Sequence, residues 1–307
     1  MSKKTKIQWC DSTINPVMGC GGCELHTEER SVCYAAQLHR VRSTNPGFSP
    51  DFDSPKLFPG RTADASRWSG LAGSSRPDKP WLDGLPRLSF VRDMGDALSE
   101  RDAIDNDNTP VAGGAVTFEY LKTEIVDVAN SDHGMRHRWL WLTKRPQRMV
   151  QFCRWLRQEH ALPLPPNIWP GTSITLRKTL GRISQLAKVG ESNTTRFLNV
   201  EPLWEEISLA RSLNGISWVI VGGESGRRDR AESFDCAWAR HLRDECLEAK
   251  VPFFVKQLGV NAMNEWRPLR LADSHGGDWA EWPHDLRVRE VPQERKQLAP
   301  ILERRRA

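Results

Sequence analysis

Arg138-Trp139-Leu140-Trp141-Leu142-Thr143-Lys144-Arg145-Pro146 passes from an apolar run of strand character to a proline, the residue best suited to open a helix. A strand that feeds straight into a helix is half of a βα unit, and the same reading recurs along the chain. Strand candidates fall at 14–19, 88–93, 138–143, 167–173, 195–200, 217–222 and 251–255, with helix candidates between them at 33–42, 116–130, 145–158, 175–188 and 235–249. The last helix is well marked. Ser233 or Asp235 caps its start, Trp238, Leu242 and Cys246 recur on one face, and Val251-Pro252 lies beyond its end. Such alternation predicts an α/β fold with a parallel sheet or barrel.

Residues 43–87 interrupt the pattern. Rich in Pro, Gly, Ser and Asp, they read as an irregular insertion, a solvated loop by default and a substrate lid by alternative, since they carry Arg61, Arg67, Trp68 and Trp81. A second irregular segment, 259–283, holds Trp266, Trp279, Trp282 and His275. The 307 residues suffice for one large α/β domain or two smaller ones. The longest apolar runs, such as Trp218-Val219-Ile220-Val221, are too short to span a bilayer, and no signal-like segment follows Met1. Seven cysteines, odd in number and unevenly spaced, suit a reduced compartment, so a cytoplasmic protein is expected. The 44 Lys and Arg exceed the 39 Asp and Glu by a formal +5, a mild bias toward phosphate, and the segment from Arg287 to Arg306 carries much of it. Trp139, Trp141, Trp169 and Trp218 lie in strand-like runs and are expected in the core.

Chemistry is expected where parallel strands end. One rim collects Asp93, Asp96, Lys144, Arg145, Ser173, Glu201, Glu224 and Lys256. Gly222-Gly223-Glu224-Ser225-Gly226 lacks the spacing and the lysine of a phosphate loop. Its glycines instead suit a nucleoside or amino-acid group lying against the backbone, with Glu224 facing a cation or an ammonium. Near the chain start stand Cys20, Cys23 and Cys33, separated by two and then nine residues. Three thiolates can hold a 4Fe-4S cluster and leave one iron open, or can bind zinc with His26 as fourth ligand, or can be plain buried cysteines.

Lys6-Ile7-Gln8-Trp9 with Asn15-Pro16, Cys33-Tyr34-Ala35, Leu142-Thr143-Lys144-Arg145-Pro146, Phe197-Leu198-Asn199-Val200-Glu201-Pro202, the run from Val219 to Gly226, that from Pro252 to Gly259, and that from Gly277 to Pro283 follow in order over residues 5–292. Together they resemble a phage-associated family related to the radical S-adenosylmethionine enzymes. The resemblance implies a partial (β/α) barrel of the radical S-adenosylmethionine type with about six to seven parallel strands. It spans a single domain, 1–292, including the insertion 43–87, ahead of a basic tail, 293–307. It also implies a 4Fe-4S cluster on Cys20, Cys23 and Cys33 and S-adenosyl-L-methionine at the open iron.

The common motif has gaps of three and two with an aromatic residue before the last cysteine. Here Val32 precedes Cys33, Tyr34 follows it, and Cys10 stands where relatives usually carry a small polar residue. If the cluster is present, Asp93 or Asp96 receives the methionine ammonium and Gly222, Gly223 and Glu224 run along the adenosine, with Ser173 and Glu201 on the same side. Lys144, Arg145 and Lys256 then hold the substrate, or Lys144 and Arg145 instead form ion pairs with Glu201 or Asp96 across the rim. The expected substrate is DNA or a nucleotide, a glycyl adduct of thymine among the options, and the expected electron donor is a flavodoxin or ferredoxin. The competing expectation is a non-catalytic, zinc-stabilised nucleic-acid-binding protein.

Overall fold

The strand candidates meet a single parallel sheet, the first of them only at Ile14: β1 (Ser12–Ile14), β2 (Arg87–Val91), β3 (His137–Thr143), β4 (Ile168–Ser173), β5 (Phe197–Val200), β6 (Trp218–Gly222) and β7 (Phe253–Gln257). The computed structural model describes residues 1–29 and 31–293; of the tail expected at 293–307, all but Gln293 lies outside the described residues. The seven strands lie side by side in chain order, and every neighbouring pair is parallel. With helices in the crossovers, that order curls the sheet into a half-barrel whose edges are β1 and β7.

The helices are α1 (Tyr34–Arg42), α2 (Arg61–Ser66), α3 (Phe118–Leu121), which widens through a π turn at Lys122–Asp127 into α4 (Val128–Asn130), then α5 (Pro146–His160), α6 (Gly181–Leu186) and α7 (Cys236–Ala249). Side chains alternate along each strand, and both faces are buried. On the outer face Trp139, Trp141, Leu198, Val219 and Val255 join Met149, Phe152, Ile183 and Leu242 of the helices in one core. On the inner face Phe90, Leu140, Trp169, Phe197, Trp218 and Phe254 close around Trp9. The four tryptophans expected in the core are there. The interior is crowded enough that a Cβ on Gly171 would stand 2.4 Å from the Phe197 ring.

Three sequence expectations change. The first strand ends at Ile14, because Pro16 has no N–H for the ladder; Val17–Met18 joins a separate small sheet with Lys56–Leu57, Asp102–Ile104 and Pro110–Ala115. The helix expected at 175–188 is a 3₁₀ turn at Arg177–Thr179 followed by α6, with the Thr179 hydroxyl accepting from the Thr175 and Leu176 N–H groups. The insertion 43–87 is solvated along much of its length but pinned to the body of the fold, and it contains Lys56–Leu57 and α2. Arg76 pairs with Asp11 at 2.8 Å, and Lys79 Nζ donates to the carbonyls of Thr5, Ile7 and Cys10 at 2.6–2.8 Å. Its anchors include these long polar side chains, which a search for apolar clusters passes over, beside the buried Phe52, Leu57, Phe58, Leu82 and Leu85.

The open side of the half-barrel is covered by the same insertion. Trp81 donates its indole N–H to the Gln8 carbonyl at 2.7 Å and meets Phe254 of β7 and Trp279. The Arg289 guanidinium lies over Trp81 at 4.2 Å and over Trp279 at 4.8 Å. Among the described residues no helix is long and apolar enough to cross a membrane.

Candidate functional site

The cysteine loop is laid against the end of β2 by a glycine seam. Gly19 and Gly95, both at positive φ, form a bridge, and a Cβ on Gly95 would stand 2.2 Å from the Gly19 carbonyl oxygen. Only glycine permits that approach. Cys20 follows directly, its N–H donating to the Phe52 carbonyl at 2.7 Å. Cys23 and His26 exchange backbone hydrogen bonds, the N–H groups of Val32 and Cys33 both donate to the Leu25 carbonyl, and Cys33 then opens α1. Cys20 and Cys33 share an apolar patch with Met18, Phe52 and Met94.

All three are free thiols. Burial pushes the Cys23 thiol up to about 11 and raises that of Cys33. In both, a charge on Cys20 adds to the rise and Lys144 opposes it. Among the described residues no three His, Cys, Asp or Glu side chains gather where they could hold one metal ion. His26, the expected fourth zinc ligand, has both ring nitrogens engaged, Nδ1 with Ser31 Oγ at 2.7 Å and Nε2 with Asp53 at 3.3 Å.

Thr143, Lys144 and Arg145, where β3 ends, bind the loop to the sheet. Asp96 accepts from the Thr143 hydroxyl and from the N–H groups of Lys144 and Leu98, and pairs with Arg145 at 3.2 Å. Arg145 also donates to the Gly22 carbonyl at 2.8 Å and approaches Cys20 Sγ at 3.6 Å. These partners leave Asp96 no room for a ligand ammonium. Asp93 is the freer carboxylate, half-buried and accepting from Asn15 at 2.6 Å. Lys144 lies 3.7 Å from Glu24, and Lys256 pairs with Glu201.

Ser173 is buried at the end of β4. The space beside the two glycines is filled from within the chain: a Cβ on Gly222 would meet the Glu201 side chain at 3.2 Å, and one on Gly223 the Leu258 carbonyl at 2.2 Å. Glu224 faces no cation among the described residues; it accepts from the Trp204 indole at 2.8 Å and from the Glu232 N–H.

Residues 4–296 match a family described as protein of unknown function (DUF5131). The chain belongs to this family. No curated protein matches it. Two solved structures do: an endo-β-N-acetylglucosaminidase from Cordyceps militaris in apo form, 11% identical over 72% of this chain and 78% of that one with a TM-score of 0.28, and a doubly substituted variant of that enzyme in complex with fucosyl-N-acetylglucosamine-Asn, 12% identical over 67% and 73% with the same TM-score. Likenesses this low bear on neither fold nor activity.

Three residues not singled out from the sequence of this family member belong to the site. Glu24 is sandwiched between Arg182, at 2.8 Å, and Lys144. Asn199, which faces inward on β5, keeps its side-chain carbonyl buried without a partner among the described residues. Arg92 follows β2 at φ 83° and is 2% exposed; its Nη2 donates to the Gly19 carbonyl at 3.0 Å, while Nε and Nη1 have no partner among the described residues. Strand parity could have flagged Asn199, since it lies two residues from the inward Phe197. Beside the rim, a cleft of about 520 Å³ opens between the starts of α5 and α6, lined by Lys144, Arg145, Arg148, Arg182, Gln151 and Gln185 among others.

Proposed function

We propose that this protein is a radical S-adenosylmethionine enzyme acting on a nucleic-acid base or nucleotide, with a 4Fe-4S cluster held by Cys20, Cys23 and Cys33. The observation that carries the reading is the placement of three unpaired, largely buried thiols on one loop at the rim of a parallel half-barrel, beside Lys144 and Arg145. A single ion needs its donors within about 2.3 Å of one point. A cluster takes its thiolates on separate irons and tolerates wider spacing. The donor set suits the cluster: thiolates are its usual ligands, and the orphaned donors of Arg92 offer positive charge to an anionic group. The zinc reading draws no support from His26, whose nitrogens are occupied.

When bound and reduced, such a centre supplies one-electron cleavage of S-adenosylmethionine to a 5′-deoxyadenosyl radical, which removes hydrogen from unactivated carbon. The protein's own residues supply position and exclusion of water. Asp93 receives the methionine ammonium in this reading. Ser173 and Asn199 offer hydrogen bonds from the inner face, and the Glu201–Lys256 pair stands where β5 and β7 end. Lys144, Arg148 and Arg182 line the cleft that accepts substrate phosphate, with a glycyl adduct of thymine as one candidate base.

Anaerobic reconstitution with iron and sulfide tests the reading. Cys20→Ala, Cys23→Ala and Cys33→Ala should each lose iron while Cys153→Ala keeps it, and reduced wild type given S-adenosylmethionine should release 5′-deoxyadenosine and methionine. A protein that takes up iron in all three variants, or releases neither product, is not such an enzyme. Binding to single-stranded DNA should fall steeply with salt if phosphate is contacted.

A further inference from the structure

Arg92 stands out as a fully buried guanidinium with two donor groups unmet among the described residues. Burying such a charge without a partner is costly, and so is holding a non-glycine residue at φ 83°. Burial lowers the pKa of Arg92 to about 10, with Asp96 and Cys20 as the leading opposing influences, so it stays charged at neutral pH. Arg145 reaches Cys20 Sγ from its own position at the end of β3. Arg92 holds the Gly19 carbonyl, one residue before Cys20, so two cations flank that residue. Asp96, paired with Arg145, offsets one of them, and Glu24 is shared between Lys144 and Arg182, so positive charge is in excess around Cys20.

We propose that Arg92 and Arg145 are positioning residues that bracket Cys20 and raise the reduction potential of the metal centre bound there. The inference rests on the cluster reading above. Reduction brings one electron from a donor, dithionite in the assay and a flavodoxin or ferredoxin in the cell, and adds one negative charge to the centre. A fixed positive charge nearby favours the more negative state, and hydrogen bonds to the ligand sulfur act in the same direction.

The test is the midpoint potential of the reconstituted full-length protein, followed by electron paramagnetic resonance, for wild type, Arg145→Gln, Arg145→Lys and Arg92→Gln. The expected result is a more negative potential in the iron-loaded fraction of Arg145→Gln and Arg92→Gln, and a potential near wild type in Arg145→Lys. Iron loss in Arg145→Gln that Arg145→Lys restores also supports the bracket, since the lysine keeps only the charge. Full loading with unchanged potential in Arg145→Gln overturns the bracket and leaves the cluster reading standing. So does iron loss in both Arg145 variants, which would make Arg145 a pin for the loop. A wild type that takes up no iron–sulfur centre overturns both. Arg145 decides the matter even if Arg92→Gln does not fold.

Discussion

Glu24 ties the cysteine loop to the starts of two helices through one carboxylate. It accepts two hydrogen bonds from Arg182 and one from Thr175, and its side chain is 6% exposed. Burial works against its ionisation, but Arg182 and Lys144 outweigh it and bring the carboxyl down to about 2. A folded pKa below the unfolded value of about 4.3 means that the stabilisation is complete above that value and drains away as the pH falls toward 2. Glu24→Gln should therefore cost about 2 kcal/mol at pH 7, and the gap to wild type in urea unfolding should narrow between pH 5 and pH 3. A gap that stays constant would assign Glu24 to packing alone. The sequence marks Lys144, Arg145 and Lys256 as rim cations from their place after apolar strands. It also offers Asp96 or Glu201 as ion-pair partners across the rim for Lys144 and Arg145, and Arg145 does pair with Asp96, 49 residues away; it does not reveal Glu24 and Arg182, which are 158 apart. Only the register of the sheet brings those pairs together.

At the scale of elements, six of the seven parallel strands are legible because both their faces are buried and they read as largely apolar runs between breakers; β1, Ser12-Thr13-Ile14, is mostly polar and meets the expected range only at Ile14. Two- and three-residue strands such as Val17–Met18 and Lys56–Leu57 carry no such signal; they exist because Pro16 turns the chain away and the insertion supplies a partner. The ends of α5 and α7 show a cost that sequence alone hides. Ala161 and Lys250 cap these helices in the left-handed region, at φ 52° and 56°. That conformation costs a non-glycine residue about 1–2 kcal/mol, against about 0.4–1 kcal/mol of extra unfolded-state entropy for glycine. Ala161→Gly and Lys250→Gly should each gain about 0.5 kcal/mol in denaturant unfolding. Gly171→Ala should do the reverse. Its methyl group would drive into the Phe197 ring, costing about 1–3 kcal/mol, and Phe197→Leu in the same chain should recover part of the loss. Additive losses would show that the two sites do not touch.

For the molecule as a whole, the half-barrel leaves an edge on β7 that must be covered, since a bare edge of a parallel sheet exposes unpaired backbone groups and, here, the aromatic interior. The cover is assembled from distant stretches: Gln8, Trp81, Trp279, Trp282 and Arg289, with Arg289 donating toward the carbonyls of Val255 and Lys256 on β7 itself. Trp81 is the centre of that clasp, touching the N-terminal segment, β7 and the C-terminal segment at once. Removing it should cost about 2 kcal/mol, below the range for a fully buried tryptophan because its ring is only half-buried. The loss should also be local. Hydrogen exchange of Trp81→Ala should speed at residues 5–11 and along β7, where the clasp holds the chain, while β3, β4 and β5 keep their protection because their ladders have strands on both sides. Equal acceleration across all seven strands would mean that the sheet opens as one cooperative unit and that the aromatic cover merely fills space.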